Sequence, residues 1–128
     1  MKKELKKERR PLSIYEQNVL MPILIKGLEM KKGKKNAVTN NQIVKGLRGH
    51  GLKVSHRDVC SLINHIRTND LVLGLVASSF GYYISSSERE FFDYEQSLLN
   101  REMEIKKVRI SIERQRRKMF APIQRQLF

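Results

Sequence analysis

The fold of this chain is decided by residues 39–85, which read TNNQIVKGLRGHGLKVSHRDVCSLINHIRTNDLVLGLVASSFGYYIS. The segment opens with Thr39-Asn40-Asn41-Gln42, a capping box whose first and fourth side chains satisfy backbone N–H groups left unpaired at a helix start. It predicts a short helix from Ile43 to Arg48. A turn follows at 49–53, because glycines interrupt the helical pattern there. A second capping box, Ser55-His56-Arg57-Asp58, predicts another helix that ends at about Asn69.

Two β-prone segments come next, Leu71–Val76 and Phe80–Ser85. Both are rich in aliphatic or aromatic side chains that suit a pleated surface, and Ala77-Ser78-Ser79 separates them. We therefore expect an antiparallel hairpin directly after the second helix. The predicted order is helix, turn, helix, hairpin.

The second helix divides cleanly by face at 100° per residue. One side carries four apolar residues that we expect to face the core: Val59, Leu62, Ile63 and Ile66. The other side carries polar residues able to bond base edges in a DNA groove: Arg57, Ser61, Asn64, His65 and Thr68. Arginine can bond guanine in two places and asparagine can do the same with adenine. An ordinary solvated polar face would show the same pattern.

Residues 39–85 resemble the winged helix-turn-helix domains of bacterial regulators and of phage or mobile-element replication-accessory proteins. The resemblance rests on Val54–Val59, on the apolar pattern of the second helix and on Gly81–Ile84. It implies a protein that binds duplex DNA, with helix 55–69 in the major groove. One departure is clear, since the hairpin loop has no lysine or arginine, whereas a wing normally contacts phosphate or the minor groove with such residues.

The net charge of +13 favours a polyanionic partner, nucleic acid before an anionic membrane surface. The charge is +4 over residues 1–12, +6 over 13–53, zero over 54–87 and +3 over 88–128. The positive charge therefore lies before and after the second helix of the pair in the sequence, and not on that helix. Candidate phosphate contacts lie mostly in the basic loop 31–35 and around the two helices: Lys31, Lys32, Lys34, Lys35, Lys45, Arg48, Lys53 and His56. The alternative for the loop is an ordinary solvated loop. The basic residues at 1–12 form either a phosphate-binding arm or a disordered tail.

Two further helices complete the pattern. Ser13-Ile14-Tyr15-Glu16 is a capping box that opens a first helix, in which Pro22 should cause a kink or a break.

A long helix starts at Ser85-Ser86-Ser87-Glu88, and its apolar residues recur every seven positions as in a coiled coil. The candidate dimerisation residues are Phe91, Tyr94, Leu98, Ile105, Val108, Ile112 and Met119. We expect a homodimer; packing of this helix on its own domain is the alternative.

The sequence offers little for catalysis or for a bound metal. His56 and His65 are nine residues apart and fall on opposite faces of one helix, and no glycine-rich phosphate-binding loop occurs. We therefore expect no enzyme activity, no cofactor and no metal.

A single cysteine fits a reducing compartment, and the start of the chain lacks the apolar stretch of a signal peptide. These features, with no apolar run long enough for a membrane span, predict a cytoplasmic protein.

We thus predict a mainly α protein with a small β-hairpin (α+β). Its expected parts are a basic arm at 1–12, a winged helix-turn-helix domain at 13–87, a long helix at 88–120 and a tail at 121–128. The expected function is non-enzymatic binding of duplex DNA by a dimer, which would place two recognition helices on successive major grooves. The main alternative is a protein-interaction adaptor that uses the winged helix and the C-terminal helix as docking surfaces. RNA binding has less support, since no aromatic-studded sheet is evident.

Overall fold

The computed structural model describes residues 11–122, so most of the predicted basic arm and the end of the predicted tail lie outside the described residues. It is 66% helical, with a two-stranded antiparallel sheet and a long C-terminal helix, which confirms the predicted fold class. The α-helices are α1 (Met21–Glu29), α2 (Asn40–Gly49), α3 (His56–Thr68) and α4 (Glu88–Met119). The strands are β1 (Leu75–Ser78) and β2 (Gly81–Ile84).

The first helical segment begins at the predicted capping box. Ser13 Oγ accepts a hydrogen bond from the Glu16 amide at 3.1 Å, and Glu16 Oε1 accepts one from the Ser13 amide at 2.8 Å. A π-helical turn, Glu16–Leu20, then leads into α1, and Pro22 lies in the first turn of α1. The chain stays helical through Leu20 and Met21, so there is no break at Pro22; the expected irregularity takes the form of the π-helical turn immediately before the proline, whose missing N–H cannot continue the α-helical hydrogen-bond pattern.

Both predicted capping boxes of the helix pair are present. Thr39 Oγ1 accepts from the Gln42 amide and Gln42 Oε1 accepts from the Thr39 amide, at 3.1 Å and 2.9 Å. Ser55 and Asp58 make the same reciprocal pair at 3.1 Å and 2.9 Å. Helices α2 and α3 consequently start where local chemistry requires, one residue after each cap.

The core lies between the helices and the hairpin. Val59, Leu62, Ile63 and Ile66 are each at most 2% exposed, which confirms the predicted inward face of α3. Burying a side chain of this size contributes about 1.5–3 kcal/mol. The residues packed around this face are Leu20, Met21, Leu24, Leu28, Ile43, Val44, Leu47, Val54, Val72 and Leu75. The opposite face of α3 is thereby turned away from the core.

The first strand differs from its prediction. The sequence indicated Leu71–Val76, but the strand is Leu75–Ser78, because Asp70 (φ 56°) and Gly74 (φ 81°) both adopt left-handed conformations that turn the chain before it can extend. β1 pairs with β2 from Leu75↔Ile84 to Ser78↔Gly81. Only Ser79 and Phe80 lie between the strands, so the hairpin loop is shorter than predicted.

The segment before α2 lies along the free edge of β2. The Val38 amide donates to the Tyr82 carbonyl at 2.9 Å and the Tyr82 amide donates to the Val38 carbonyl at 2.8 Å. Further along, the Ile84 amide donates to the Lys31 carbonyl at 2.7 Å. A short 3₁₀ turn, Lys34–Asn36, joins these two contacts. The lysine-rich loop is therefore anchored to the hairpin at both of its ends.

Glu90 anchors the start of α4. Its carboxylate accepts hydrogen bonds from the Tyr83 hydroxyl at 2.5 Å and from the Ser85 hydroxyl at 2.6 Å, while Ser87 Oγ caps the helix by accepting from the Glu90 amide at 3.1 Å. The chain divides into two compact units, with the boundary between Phe91 and Phe92. No residue of α4 is buried.

Candidate nucleic-acid interface

The outward stripe of α3 carries the candidate base-reading residues. Arg57, Ser61, Asn64 and Thr68 follow one another at intervals of three or four residues, which makes a line about 16 Å long at 1.5 Å per residue. Arg57 and Thr68 are exposed, and Ser61 and Asn64 are half-buried. The side chains of Arg57 and Asn64 make no hydrogen bond within residues 11–122, so their donors and acceptors are free to bind another molecule.

The C-terminal end of this stripe is partly engaged. Thr68 Oγ1 donates to the Asn64 carbonyl at 2.9 Å, and the Asn69 side chain donates to the His65 carbonyl at 2.9 Å. The first bond uses the Thr68 hydroxyl hydrogen, whereas the His65 ring stays exposed. A groove of about 580 Å³ runs beside this end and is lined by Pro11, Leu12, Gln17, Met21, Ser61, Asn64, His65 and Thr68. The C-terminal end of the polar stripe therefore forms one wall of this groove.

The other flank of α3 contacts the first turn of α2. The Asn40 side chain donates to Cys60 Sγ at 3.0 Å, and His56 Nε2 lies 2.9 Å from Asn41 Oδ1. His56, a candidate phosphate contact, is thus held in place by a neighbouring side chain. The N-terminus of α2, where unpaired backbone N–H groups carry partial positive charge, consequently lies beside the polar stripe.

Three more candidate phosphate contacts belong to α2 and the turn that follows it. Lys45, Arg48 and Lys53 are all exposed. Arg48 Nε donates to the Val54 carbonyl at 2.9 Å, which orients the guanidinium and leaves its terminal nitrogens available. The Tyr15 hydroxyl lies 3.0 Å from both the amide and the carbonyl of Lys53, and so it holds the turn against the first helical segment. Arg48 and Lys53 line the same surface groove.

The lysine loop lies at the tip of the hairpin, which the sequence did not indicate. Lys34 Nζ lies 5.2 Å from the centre of the Phe80 ring, within the range of a cation–π contact, and Phe80 is 60% exposed. Lys32 and Lys35 are also exposed, whereas Lys31 is half-buried. Positive charge absent from the hairpin itself is therefore supplied by the neighbouring loop. The contact joins residues 46 positions apart, and no local sequence pattern indicates it.

Tyr83 and Glu90 perturb each other's acidity. The hydrogen bond to Glu90, together with burial, raises the pKa of Tyr83 to about 12. Hydrogen bonds from Ser85 and then Tyr83 lower the pKa of Glu90, and the charge of Lys34 adds to that effect. The lysine loop, the hairpin and the start of α4 are thus linked electrostatically. Their polar groups stabilise this corner of the domain.

The candidate dimerisation residues form an apolar line on α4. Ile105, Val108, Ile112 and Met119 are each more than half exposed, and Leu98 is 38% exposed. Phe91 is also exposed, while Tyr94 is half-buried. All of the seven except Tyr94 are exposed within residues 11–122.

Within residues 11–122, no three histidine, cysteine, aspartate or glutamate side chains gather closely enough to hold a metal ion. No helix in the same range is long and apolar enough to cross a membrane. What the surface offers is a helix whose Arg57 and Asn64 side chains make no hydrogen bond within residues 11–122, next to the N-terminus of α2 and preceded by the cations of the α2–α3 turn. Searches of protein-family models, curated proteins and solved structures found no match to this chain.

Proposed function

We propose that this chain is a duplex-DNA-binding protein in which α3 enters the major groove. The observation that carries the proposal is the outward stripe of α3, where the side chains of Arg57 and Asn64 have no hydrogen-bond partner within residues 11–122. Both side chains can make two hydrogen bonds to one base edge, Arg57 to guanine and Asn64 to adenine. The buried opposite face of α3 holds the helix rigid, so the geometry of such contacts would be defined in advance.

Cations in the α2–α3 turn and at the hairpin tip support the proposal. Arg48 and Lys53 belong to the α2–α3 turn, and Lys34 lies at the hairpin tip. In protein–DNA complexes, contacts to phosphate position the protein while base contacts provide specificity. The net charge of +13 would then supply most of the affinity, and the uncharged polar residues of α3 the selectivity.

We further propose a homodimer through α4, because its apolar line is exposed within the single chain. A regulatory or replication-accessory role in a bacterial or phage setting follows from the resemblance to winged helix-turn-helix proteins. The single cysteine, with no disulfide partner in the chain, fits action in the cytoplasm.

A second function is favoured by two specific observations. Residues 54–87 carry no net charge, and the hairpin loop has neither lysine nor arginine. A protein-interaction adaptor, with the winged helix and α4 as docking surfaces, would have both features. Such an adaptor would bind a protein partner with no preference among DNA sequences.

The experiment that separates these functions is selection of a preferred DNA site from a random pool, followed by affinity measurements on single variants. Arg57→Ala and Asn64→Ala should each weaken binding to the preferred site by about 1–3 kcal/mol and relax selectivity at one position. Asn18→Ala, which removes an exposed asparagine from the first helical segment, is the matched control and should change neither quantity.

Neutralising Lys34 and Lys35 together should act differently from the changes in α3. Affinity should fall equally for all DNA sequences. The slope of log affinity against log salt concentration should become shallower by about one for each lysine removed. Unchanged selectivity in both Arg57→Ala and Asn64→Ala would show that α3 does not read the bases. Failure to bind duplex DNA at all would favour the adaptor.

A further inference from the structure

Helix α4 is divided by charge at its midpoint. Residues 88–104 contain six acidic and two basic residues, a net charge of −4. Residues 105–119 contain seven basic residues and one acidic residue, a net charge of +6. The sign changes between Glu104 and Lys106. A single helix thus carries two halves of opposite charge.

The helix macrodipole accounts for only the ends of this pattern. It favours acidic residues in the first turn and basic residues in the last, and its effect falls off within one turn. Glu102, Glu104, Lys106 and Arg109 lie several turns from either end. Contacts within the helix account for some of them, such as Lys107 Nζ to Glu104 Oε2 at 2.9 Å and Arg109 Nη1 to Glu113 Oε1 at 3.7 Å. Glu95, Glu102 and Arg116 make no ion pair within residues 11–122.

The exposed apolar line runs through both charged halves. Leu98 lies in the acidic half and Ile112 in the basic half, and both are substantially exposed. A partner that covers this line must therefore face an acidic surface along one half and a basic surface along the other. A second copy of the same helix meets this requirement in one orientation only.

We propose that two copies of the chain pair through α4 in an antiparallel orientation. The proposal rests on the self-association of α4 suggested above but not on DNA binding. Antiparallel pairing brings the −4 half of each helix against the +6 half of the other. Parallel pairing would instead align the two +6 halves with each other, where they repel.

The heptad pattern and the charges together select a register. In an antiparallel coiled coil the two seam positions of one helix alternate with those of the other. Pairing Ile105 with Val108 of the second copy brings Leu98 opposite Gln115, Met119 opposite Tyr94 and Ile112 opposite Arg101. In this register Ile105 packs on Val108 and Met119 on Tyr94, while Leu98 and Ile112 each face a polar seam residue of the second copy.

The residues that flank the seam become complementary in this register. Glu95 lies next to Arg116 of the second copy, and Glu102 lies next to Arg109 of the second copy. The twofold symmetry repeats both contacts, which makes four pairs of opposite charge and none of like charge at these positions. Sliding one helix by seven residues would instead place Glu102 next to Glu102 of the second copy. The register therefore gives ion-pair partners to Glu95, Glu102 and Arg116, which make none among the residues that the structure describes.

Antiparallel pairing also determines where the two helices begin. The first residues of the two α4 helices, Glu88 in each copy, lie at opposite ends of the pair, separated by 37 residue steps or about 55 Å. Parallel pairing would place them side by side.

Cysteine cross-linking of the full-length protein tests the orientation without DNA. The background is Cys60→Ser, which removes the native thiol and retains an acceptor for the Asn40 side chain. We expect a disulfide-linked dimer when Leu98→Cys chains are mixed with Gln115→Cys chains under mild oxidation. Neither variant should cross-link to itself. Self-linking of Leu98→Cys would show parallel pairing and overturn the orientation alone.

Sedimentation equilibrium of charge variants tests the register. Glu102→Arg should raise the dimer dissociation constant on the order of tenfold, because it replaces two attractions by two repulsions. The double variant Glu102→Arg, Arg109→Glu should restore dimerisation, because it re-creates the pair with reversed signs. These residues are exposed, and circular dichroism should show unchanged helix content. If the double variant dimerises as weakly as Glu102→Arg, the register is wrong. If the wild type is a monomer at micromolar concentration, the dimer itself is wrong, whether or not the protein binds DNA.

Discussion

Replacing Gly81 with alanine tests whether β2 is held against the segment that leads into α2. Gly81 has a φ of +116°, and a Cβ placed on it would lie 2.5 Å from the Val38 carbonyl oxygen and 2.9 Å from the Thr39 amide nitrogen. Both are backbone atoms, and Val38 is tied to Tyr82 by two hydrogen bonds. They cannot move aside as the end of a flexible side chain would.

Two costs determine the size of the effect. A non-glycine residue in a strained region of positive φ costs about 1–3 kcal/mol. Displacing the backbone at Val38 adds a cost of similar size, because the two hydrogen bonds to β2 are stretched or lost. We therefore expect Gly81→Ala to lower the free energy of unfolding by about 3 kcal/mol. For a domain of this size that corresponds to a fall of about 12–24 °C in Tm.

Gly46→Ala provides the matched control. Gly46 lies within α2, has no positive φ, and no atom outside its own helix backbone lies within 4 Å of an added Cβ. Alanine there should raise stability by about 0.5–1 kcal/mol, because glycine is unfavourable inside a helix. Both variants are measured by urea and thermal unfolding followed by circular dichroism. If Gly81→Ala stays within about 0.5 kcal/mol of the wild type, the close approach of β2 to Val38 is wrong.

The remaining predictions concern pH and the core. Because its pKa is lowered, Glu90 contributes fully to stability above pH 4.5, its ordinary pKa, and this contribution is lost as the pH falls through the lowered value. In Glu90→Gln, the midpoint of urea unfolding should therefore fall less steeply as the pH is lowered. The contribution of Tyr83 to stability is complete below pH 10.0 and is lost as the pH rises through about 12. Tyr83→Phe should abolish this loss of stability at alkaline pH. If the variant loses stability at alkaline pH as the wild type does, the hydrogen bond from Tyr83 to Glu90 is wrong. Leu62→Ala, at a fully buried position, should cost about 2–5 kcal/mol in urea unfolding, whereas the exposed Arg57→Ala should cost under about 0.5 kcal/mol.

The parts of the fold that were predicted correctly depend on chemistry within a few residues of sequence. The caps at Thr39 and Ser55 involve groups three residues apart, so both caps could be inferred directly, although α2 starts at Asn40 and not at the expected Ile43. The inward face of α3 follows from helical periodicity alone. The strand at 71–76 was misplaced because the left-handed conformations of Asp70 and Gly74 interrupt an apolar run that otherwise suits a strand.

The candidate interface was predictable in its residues but not in its arrangement. The polar stripe from Arg57 to Thr68 follows from spacing along one helix. The contact of Lys34 with Phe80 joins residues 46 positions apart and depends on how the 31–38 segment lies along β2. The contact between Asn40 and Cys60 likewise requires α2 and α3 to be packed together. Tertiary contacts of this kind leave no periodic signal in a single sequence.

Salt-titrated binding of the intact protein to duplex DNA, single-stranded DNA and RNA tests the central proposal most directly. We expect duplex DNA to bind most tightly. With about six phosphate contacts, the logarithm of affinity should fall with the logarithm of salt concentration at a slope of about −5. Affinity that does not change with salt, a preference for RNA or single strands, or no binding to duplex DNA at about 50 mM salt would contradict the proposal.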